Sequence, residues 1–193
     1  SYNDSGQLQD KLNFKDDKQE GLSEFYHENG QLGFKVNYND GKPDGFYESY
    51  HENGQLRGKG NHKDGKQEGL WLYYHENGQL KQKGSLIDEK EEGEWTSYYD
   101  TGKLRWIGNF QDDKREGLFQ YFNEDGRLKR KENYKLGKRH GLWEIFNDEG
   151  ILERTENYKD GVYHGLWEYL NEDGTLERID NYKDGLKVGS IEF

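Results

Sequence analysis

Histidine–glutamate pairs recur in this sequence, and such pairs could bind a metal ion or act in acid–base catalysis. They stand at 27–28, 51–52 and 75–76, so that equivalent residues are 24 positions apart. If each period adds two strands to a sheet, equivalent histidines lie about 9.6 Å apart, twice the strand spacing of about 4.8 Å. Zinc binds its ligands at about 2 Å, so one ion cannot join these histidines. We predict that the pairs, like the mutually equivalent His140 and His164, flank turns.

Adjacent carboxylates, such as Glu91-Glu92 and Asp112-Asp113, are further candidates for acid–base chemistry. A glycosidase needs one of its two acids in an apolar pocket that raises its pKa, and a single sheet layer has few pockets. We therefore predict that these pairs lie in solvated turns. The sequence contains no phosphate-binding loop, dinucleotide fingerprint or serine-nucleophile motif, and it contains no cysteine. We expect no catalytic residue, no metal site and no cofactor.

Aromatic residues that recur every 24 positions carry the strongest binding interpretation. Rings in a row on a single sheet layer are expected to stay partly exposed, and exposed aromatic stripes mark recognition surfaces. The sequence leaves open the alternative that the rings only cover backbone. The candidates for a binding surface are Tyr47, Trp71, Trp95, Phe119, Trp143, Trp167, Tyr73, Tyr121 and Tyr169.

One basic stretch interrupts an otherwise acidic chain and has two interpretations. It is either a solvated edge of the array or a local patch that binds an anion or a partner. Only Glu132 opposes it in the sequence. Its members are Arg127, Lys129, Arg130, Lys131, Lys135, Lys138 and Arg139.

These residues must be positioned by a repeat, because two glycine series run through the chain at a fixed spacing of 24. One series extends from Gly21 to Gly189 and the other from Gly6 to Gly174, without an insertion. A leucine follows each glycine of the second series by two positions, from Leu8 to Leu176. An ungapped period places each repeat in an equivalent position of a quasi-one-dimensional stack.

Each repeat is predicted to contain two strands and two turns. Apolar residues alternate with a spacing of two, and Asn77-Gly78 between two such runs is typical of a type I′ hairpin turn. A second turn is predicted at Asp64-Gly65 and its equivalents. With Asn77-Gly78 as the turn, the expected opposed pairs are Tyr73 with Gln82, Trp71 with Gly84, Gly69 with Leu86, Trp95 with Gly108, and Gly93 with Phe110.

In such pairs a large ring would cover the bare backbone of a glycine across the hairpin. The predicted fold is all-β, an elongated single-layer antiparallel β-meander of tandem 24-residue β-hairpin repeats. Residues 1–193 form one array of about eight repeats, with partial repeats at both ends. Aromatic ladders would take the place of a deep core.

The segment 68–80, Glu-Gly-Leu-Trp-Leu-Tyr-Tyr-His-Glu-Asn-Gly-Gln-Leu, closely resembles the variant MORN repeat of bacteria, and with the Asp-Gly-Lys turns the resemblance covers the whole chain. The chain is most similar to the family described as antitoxin components of toxin–antitoxin modules. That resemblance implies a protein that binds and occludes a partner. Eukaryotic MORN repeats imply a scaffold at a membrane, but their Tyr-x-Gly-x-Trp motif does not recur here and occurs only once, from Tyr163 to Trp167. Choline- and glucan-binding cell-wall repeats share the aromatic run and the Asn-Gly pair, but they are shorter and lack the second turn.

The charge balance limits the class of partner. A net charge of -11 argues against nucleic acid and anionic lipid, and it is compatible with a basic protein such as a toxin. We expect a non-enzymatic protein-binding scaffold, such as an antitoxin or immunity protein that binds and occludes a partner protein. A carbohydrate or cell-wall binder and a membrane-associated scaffold remain alternatives. The compartment is unknown: cytoplasmic for an antitoxin, secreted or at the cell surface for a glycan binder. Because there is no methionine, even at position 1, we interpret the chain as a fragment.

Overall fold

The computed structural model describes residues 1–4 and 6–193, and every helix or strand element in them is a β-strand. None of these residues forms a helix that could cross a membrane. The chain divides into two compact units. Unit 1 comprises Ser1–Glu92 and Asp100–Gly102, and unit 2 comprises Gly93–Tyr99 and Lys103–Phe193.

Unit 1 contains nine antiparallel strands, which pair mainly with their neighbours in sequence. The first three are short: β1 pairs with β4, and β2 with β3. The strands are β1 (Asp10–Lys11), β2 (Phe14–Lys15), β3 (Lys18–Gln19), β4 (Gly21–Tyr26), β5 (Leu32–Asn39), β6 (Lys42–Tyr50), β7 (Leu56–Lys63), β8 (Lys66–Tyr74) and β9 (Leu80–Ile87).

Unit 2 continues the same pattern. Towards the C-terminal end of unit 2, two of the long strands that carry a buried ring are each interrupted by one residue. As a result, β13 pairs with both β14 and β15, and β16 pairs with both β17 and β18. The strands are β10 (Lys90–Tyr98), β11 (Leu104–Gln111), β12 (Lys114–Phe122), β13 (Leu128–Lys135), β14 (Lys138–Arg139), β15 (Gly141–Phe146), β16 (Leu152–Lys159), β17 (Val162–Tyr163), β18 (Gly165–Leu170), β19 (Leu176–Lys183) and β20 (Leu186–Glu192). The prediction of an all-β antiparallel meander of tandem hairpins is confirmed within each unit.

The Asp-Gly turns have the backbone that a type I′ turn requires. Asp64 has a φ of +52° and Gly65 a φ of +90°, and the corresponding values at Asp160 and Gly161 are +51° and +98°. Aspartate tolerates this left-handed conformation better than most residues, and glycine adopts it without steric cost. The second predicted turn is therefore confirmed.

The Asn77-Gly78 turn is of a different type from the predicted type I′ turn. Gly78 has a φ of +82°, whereas Asn77 is not among the residues with positive φ. The amide of Gly78 donates to the carbonyl of His75 at 2.9 Å, and the amide of His75 donates to the carbonyl of Gln79 at 2.9 Å. This is a type I turn closed by a left-handed glycine. Asparagine is used here for its side chain, whose Oδ1 accepts from the Gln79 amide at 3.0 Å.

The predicted strand register is confirmed although the turn type is not. The turn adds a bulge only at the end of the hairpin, between Tyr73 and Tyr74, so the pairs farther along keep their alignment. The observed Cα partners are Tyr73 with Gln82, Trp71 with Gly84, Gly69 with Leu86, Trp95 with Gly108, and Gly93 with Phe110.

The ring that covers a glycine comes from a strand other than the predicted one. Trp95 is the Cα partner of Gly108, but a Cβ atom on Gly108 would overlap the ring of Phe119, on the following strand β12. In unit 1, a Cβ atom on Gly60 would likewise overlap the ring of Trp71. Each of these rings therefore lies across the backbone of the strand before its own. The ring and the glycine consequently link successive hairpins.

A second set of glycines is required by backbone conformation. Gly93 has a φ of +70°, and a Cβ atom there would meet nothing within 4 Å. The equivalent Gly141 and Gly165 have φ values of +74° and +86°. The recurring asparagine stabilises this left-handed backbone. Beside Gly141, for example, Asn133 Nδ2 donates to the carbonyl of Leu142 at 2.6 Å. The glycine and the asparagine are thus parts of one local structure.

We predict that Gly108→Ala and Gly93→Ala destabilise unit 2 for different reasons. Overlap with Phe119 should cost about 1–3 kcal/mol at Gly108, and left-handed backbone should cost about 1–2 kcal/mol at Gly93. Chemical denaturation in the Phe119→Leu background separates the two causes. The smaller side chain should reduce the cost of Gly108→Ala by about 1 kcal/mol or more and leave that of Gly93→Ala unchanged. An equal cost of Gly108→Ala in both backgrounds would contradict the ring–glycine contact.

His62 occupies a position in the ring row where most other repeats carry tyrosine or phenylalanine and one carries Leu86. Its ring centroid lies 5.3 Å from that of Tyr47 and 5.3 Å from that of Trp71. Burial lowers the pKa of His62 below its usual 6.5, although the charge of Glu89 acts in the opposite direction. The folded protein therefore holds this histidine neutral at a pH where the unfolded chain begins to take up a proton.

This depressed pKa predicts a pH-dependent stability. Since the unfolded state binds the extra proton, the free energy of unfolding should fall as the pH drops below about 6.5 and level off above it. His62→Phe should remove that contribution, so that the parent loses more stability than the variant between pH 7.5 and pH 5. The measurement is denaturant unfolding of both proteins across this range. Parallel pH profiles would contradict a half-buried His62 that the fold keeps neutral.

Candidate functional site

The aromatic residues predicted to form an exposed binding stripe form the core instead. Trp71, Trp95 and Phe119 are 1%, 2% and 1% exposed, and Trp143 and Trp167 are 5% and 8% exposed. Rings of neighbouring strands pack against one another, so the row covers itself without a second sheet. The remaining four candidates, Tyr47, Tyr73, Tyr121 and Tyr169, are half-buried beside them. The expectation that the five buried rings stay exposed was therefore wrong.

The residue opposite the ring changes along the chain, from glycine to an acid. It is Gly60, Gly84 and Gly108 in the earlier repeats, and Glu132, Glu156 and Asp180 in the last three. Each acid belongs to a string, Arg-x-acid-Asn-Tyr, that begins at Arg130, Arg154 and Arg178. Alternate residues of a strand share a face, so the arginine, the acid and the tyrosine all lie on the ring face.

Glu132 is a buried carboxylate with both oxygens engaged. Its side chain is 4% exposed, and its Oε1 lies 2.8 Å from Arg130 Nε. Its Oε2 accepts a hydrogen bond from the Tyr134 hydroxyl at 2.7 Å, and Arg115 Nη1 lies 3.8 Å away. A buried charge is tolerated only when it is paired and hydrogen-bonded. Glu132 therefore fixes the positions of two arginines.

Glu156 repeats this arrangement one period later. Arg154 Nε donates to its Oε1 at 2.7 Å, and the Tyr158 hydroxyl donates to its Oε2 at 2.6 Å. Arg139 Nη1 in turn donates to the Tyr158 hydroxyl at 3.2 Å. The two repeats thus carry the same network of arginine, carboxylate, tyrosine and a second arginine.

The surroundings of Tyr134, Tyr158 and Arg115 shift the pKa of each group upward. Burial raises the pKa of Tyr134 and of Tyr158 well above the usual range, and the hydrogen bond to the glutamate raises each further. Burial acts to lower the pKa of Arg115, but its interactions with Tyr121, Tyr134 and Glu132 outweigh that effect and raise it. At neutral pH the tyrosines are donors and the arginines are cations.

A groove of about 600 Å³ in unit 2 is lined by this network. Its walls carry four arginines, Arg115, Arg130, Arg139 and Arg154, and two glutamates, Glu132 and Glu156. Three of the predicted aromatic residues, Trp143, Trp167 and Tyr169, lie with Tyr134, Ile145, Tyr158 and Tyr163 along the same groove. We call this the arginine groove. Its excess of two positive charges is opposite in sign to the net charge of the chain, -11.

Three of the four arginines lie over aromatic faces. The Arg130 guanidinium carbon is 4.3 Å from the ring centre of Tyr121. The Arg115 guanidinium carbon is 5.2 Å from the ring centre of Phe119 and 5.1 Å from that of Tyr134. That of Arg139 is 4.7 Å from the centre of Trp143. Cation–π contact of this kind orients a guanidinium while leaving its edge available. The chemistry that the groove offers is the recognition of an anion.

The basic stretch of the sequence is divided between the two faces of the sheet. Arg130 and Arg139 reach the arginine groove, as the anion-binding interpretation requires. Lys131 faces the other way and pairs with Glu144 at 2.8 Å, and Arg127 contacts Asp125 at 3.4 Å in a turn. Lys129, Lys135 and Lys138 are exposed. The stretch is therefore not one patch.

The remaining groove residues were absent from the predicted candidates. Arg115 and Arg154 stand apart from the basic stretch in sequence, and Glu156 resembles a surface carboxylate. The recurrence of Arg-x-acid-Asn-Tyr with a spacing of 24 points to Arg154 and Glu156, and the same spacing between Arg115 and Arg139 points to Arg115.

The histidine–glutamate pairs flank turns, as predicted for them. His27 Nε2 lies 3.0 Å from the carbonyl oxygen of Tyr50, and His51 Nε2 lies 3.0 Å from that of Tyr74. Because a carbonyl only accepts, each Nε2 carries the proton and donates. These bonds tie one turn to the hairpin of the next repeat. Within residues 1–4 and 6–193, no three His, Asp or Glu side chains converge as metal ligands would.

One carboxylate pair lies where predicted and the other does not. Asp112 and Asp113 form a turn with φ values of +50° and +63°. Glu91 and Glu92 lie in strand β10. The short turn is formed by Asp88-Glu89, three residues before the acidic pair and at the position equivalent to Asp112-Asp113.

We predict that Tyr158→Phe destabilises the groove whereas Tyr163→Phe does not. Loss of the hydroxyl leaves buried Glu156 without one donor, which should cost about 1–3 kcal/mol. Tyr163 lines the same groove but is 39% exposed, so its substitution should change the free energy of unfolding by less than about 0.5 kcal/mol. Chemical denaturation of both variants tests this. Equal effects would contradict the buried tyrosine–glutamate bond.

Comparison with known families gives one match. A family model described as MORN repeat variant matches seven successive segments of the chain: residues 19–40, 43–64, 67–88, 91–112, 115–136, 139–160 and 163–184. Each segment ends on the short turn that separates one repeat from the next. No curated protein matches the chain.

Proposed function

The chain belongs to the MORN repeat variant family, and on that premise we propose that it is a non-enzymatic scaffold that binds a partner protein. The observation that carries this proposal is the arginine groove, where a buried network holds four cations at the surface of unit 2. Elsewhere the residues that recur every 24 positions form turns, bulges and core rings. This surface is built where the recurring glycine is replaced by Glu132 and Glu156.

The alternative of a carbohydrate binder loses the surface on which it depends. Sugars stack on exposed ring faces, but the central rings Trp95 and Trp143 are 2% and 5% exposed. The paired ion network of the groove is better suited to a charged partner. Protein interfaces are enriched in arginine and aromatic residues, and both types line this groove.

The proposal predicts stable association with a cognate protein. The first candidate is the product of the gene adjacent to its own, mixed with the immobilised chain at micromolar concentration. Retention of that protein at about 0.15 M salt, and its loss when Arg115 and Arg139 are both changed to glutamate, is the expected result. Absence of retention would contradict this assignment of the partner, and retention by the double variant equal to that by the parent would exclude the groove.

A finer proposal is that the partner is a toxin that the scaffold occludes. The net charge of -11 supports it, because an acidic surface accelerates encounter with a basic effector. Expression of the candidate toxin alone should arrest growth of the host cell, and co-expression of this chain should restore it. Arrest that persists despite soluble co-expression would overturn the toxin proposal while leaving the scaffold proposal in place.

A further inference from the structure

The arginines of the groove keep part of their hydrogen-bonding capacity free. Arg130 and Arg154 each approach a buried glutamate through Nε, at 2.8 Å and 2.7 Å. Among residues 1–4 and 6–193, neither has a hydrogen bond from its Nη groups. Their side chains are 43% and 40% exposed. The Nη edges of both therefore remain available to a ligand.

These edges are held in place before any ligand arrives. Glu132 and Glu156 are buried, and each pairs with one arginine. The tyrosine bound to each glutamate positions a second arginine. Arg115 Nη1 lies 2.7 Å from the Tyr134 hydroxyl, and Arg139 Nη1 lies 3.2 Å from the Tyr158 hydroxyl. Preorganised donors avoid part of the entropy cost of binding. The arrangement is consequently that of a built anion site and not of mobile surface arginines.

We infer that the arginine groove binds a short acidic segment of the partner protein, through one or two Asp or Glu carboxylates; this inference rests on the proposed scaffold function. A guanidinium matches a carboxylate with two parallel hydrogen bonds. The excess of two positive charges fits two carboxylates. The aromatic floor, which includes Trp143 and the 39% exposed Tyr163, fits an apolar or aromatic residue between them.

The charge of the rest of the chain favours a peptide over an extended polyanion. A nucleic acid or an anionic membrane would place its charge against the whole acidic surface, of net charge -11. The groove has a volume of about 600 Å³, room for a few residues. A neutral or basic partner with one acidic segment satisfies both the groove and the surrounding surface.

The test uses two capped peptides and the full chain labelled with ¹⁵N. Acetyl-Glu-Tyr-Glu-amide should give saturable shifts of the Nε–Hε signals of the groove arginines in NMR spectra. Acetyl-Gln-Tyr-Gln-amide should bind at least about tenfold more weakly, the change that about 1.4 kcal/mol produces. Higher salt should weaken binding of the acidic peptide, because salt screens exposed ion pairs.

The substitutions with the least effect on the buried carboxylates are those of the two arginines that donate to tyrosine hydroxyls and not directly to a glutamate. The double variant Arg115→Gln with Arg139→Gln removes two cations whose closest polar partners are tyrosine hydroxyls. It should weaken binding of the acidic peptide at least about tenfold. Lys114→Gln with Lys138→Gln is the matched control, because these exposed neighbours lose the same charge outside the groove. The control should bind within about twofold of the parent.

Several outcomes would overturn the inference. They are equal shifts with the glutamate and glutamine peptides, equal loss in the two double variants, or binding to anionic vesicles or single-stranded RNA in preference to the acidic peptide. Retention of the cognate protein without any effect of the acidic peptide as a competitor would overturn the inference and leave the scaffold function standing. Binding of the acidic peptide without retention of the cognate protein would leave the inference standing and contradict the proposed scaffold function.

Discussion

Packing of a large ring onto the bare backbone of the preceding strand is the contact on which the glycine-bearing repeats depend. Within each unit, described side chains of neighbouring strands cover the rings, and this packing keeps water from Trp71, Trp95 and Phe119. Trp71 over Gly60 and Phe119 over Gly108 achieve this by lying flat on a strand without a side chain. Because the ring and the glycine belong to successive hairpins, each repeat is stabilised by the next. The fixed spacing of 24 residues follows, since one insertion would separate ring from glycine.

Where the glycine is replaced by an acid, the ring is held differently. Trp143 and Trp167 donate from Nε1 to the carbonyls of Asn133 and Asn157, at 3.0 Å and 3.2 Å, whereas Trp71 Nε1 has no partner among the described residues. The space opposite the ring then holds a buried carboxylate, which in turn holds arginines. The change from glycine to an acid, together with the arginine and the tyrosine of the same string, thus converts a purely structural repeat into one that carries a charged groove.

Sequence patterns specified the strands well because they depend on short-range rules. The glycine spacing, the Asp64-Gly65 turn and the pairing of Trp71 with Gly84 all follow from backbone conformation and alternation. Asn77-Gly78 misled because a type I turn with a bulge and a type I′ turn accept the same two residues. Exposure of Trp71 could not be predicted, since it depends on how the rings of other repeats tilt over it. Glu156 was missed because a carboxylate is buried only through partners that the fold supplies.

The most direct test of the ring contact is the solvent accessibility of individual tryptophans. Variants that retain only Trp71 or only Trp143, with phenylalanine at the other four positions, would be examined by acrylamide quenching of fluorescence. Burial of both rings predicts native emission at a shorter wavelength than in the unfolded chain, together with a much smaller quenching constant. Native emission and quenching equal to those of the unfolded chain, in variants that still give a β-sheet circular dichroism spectrum, would contradict an aromatic core.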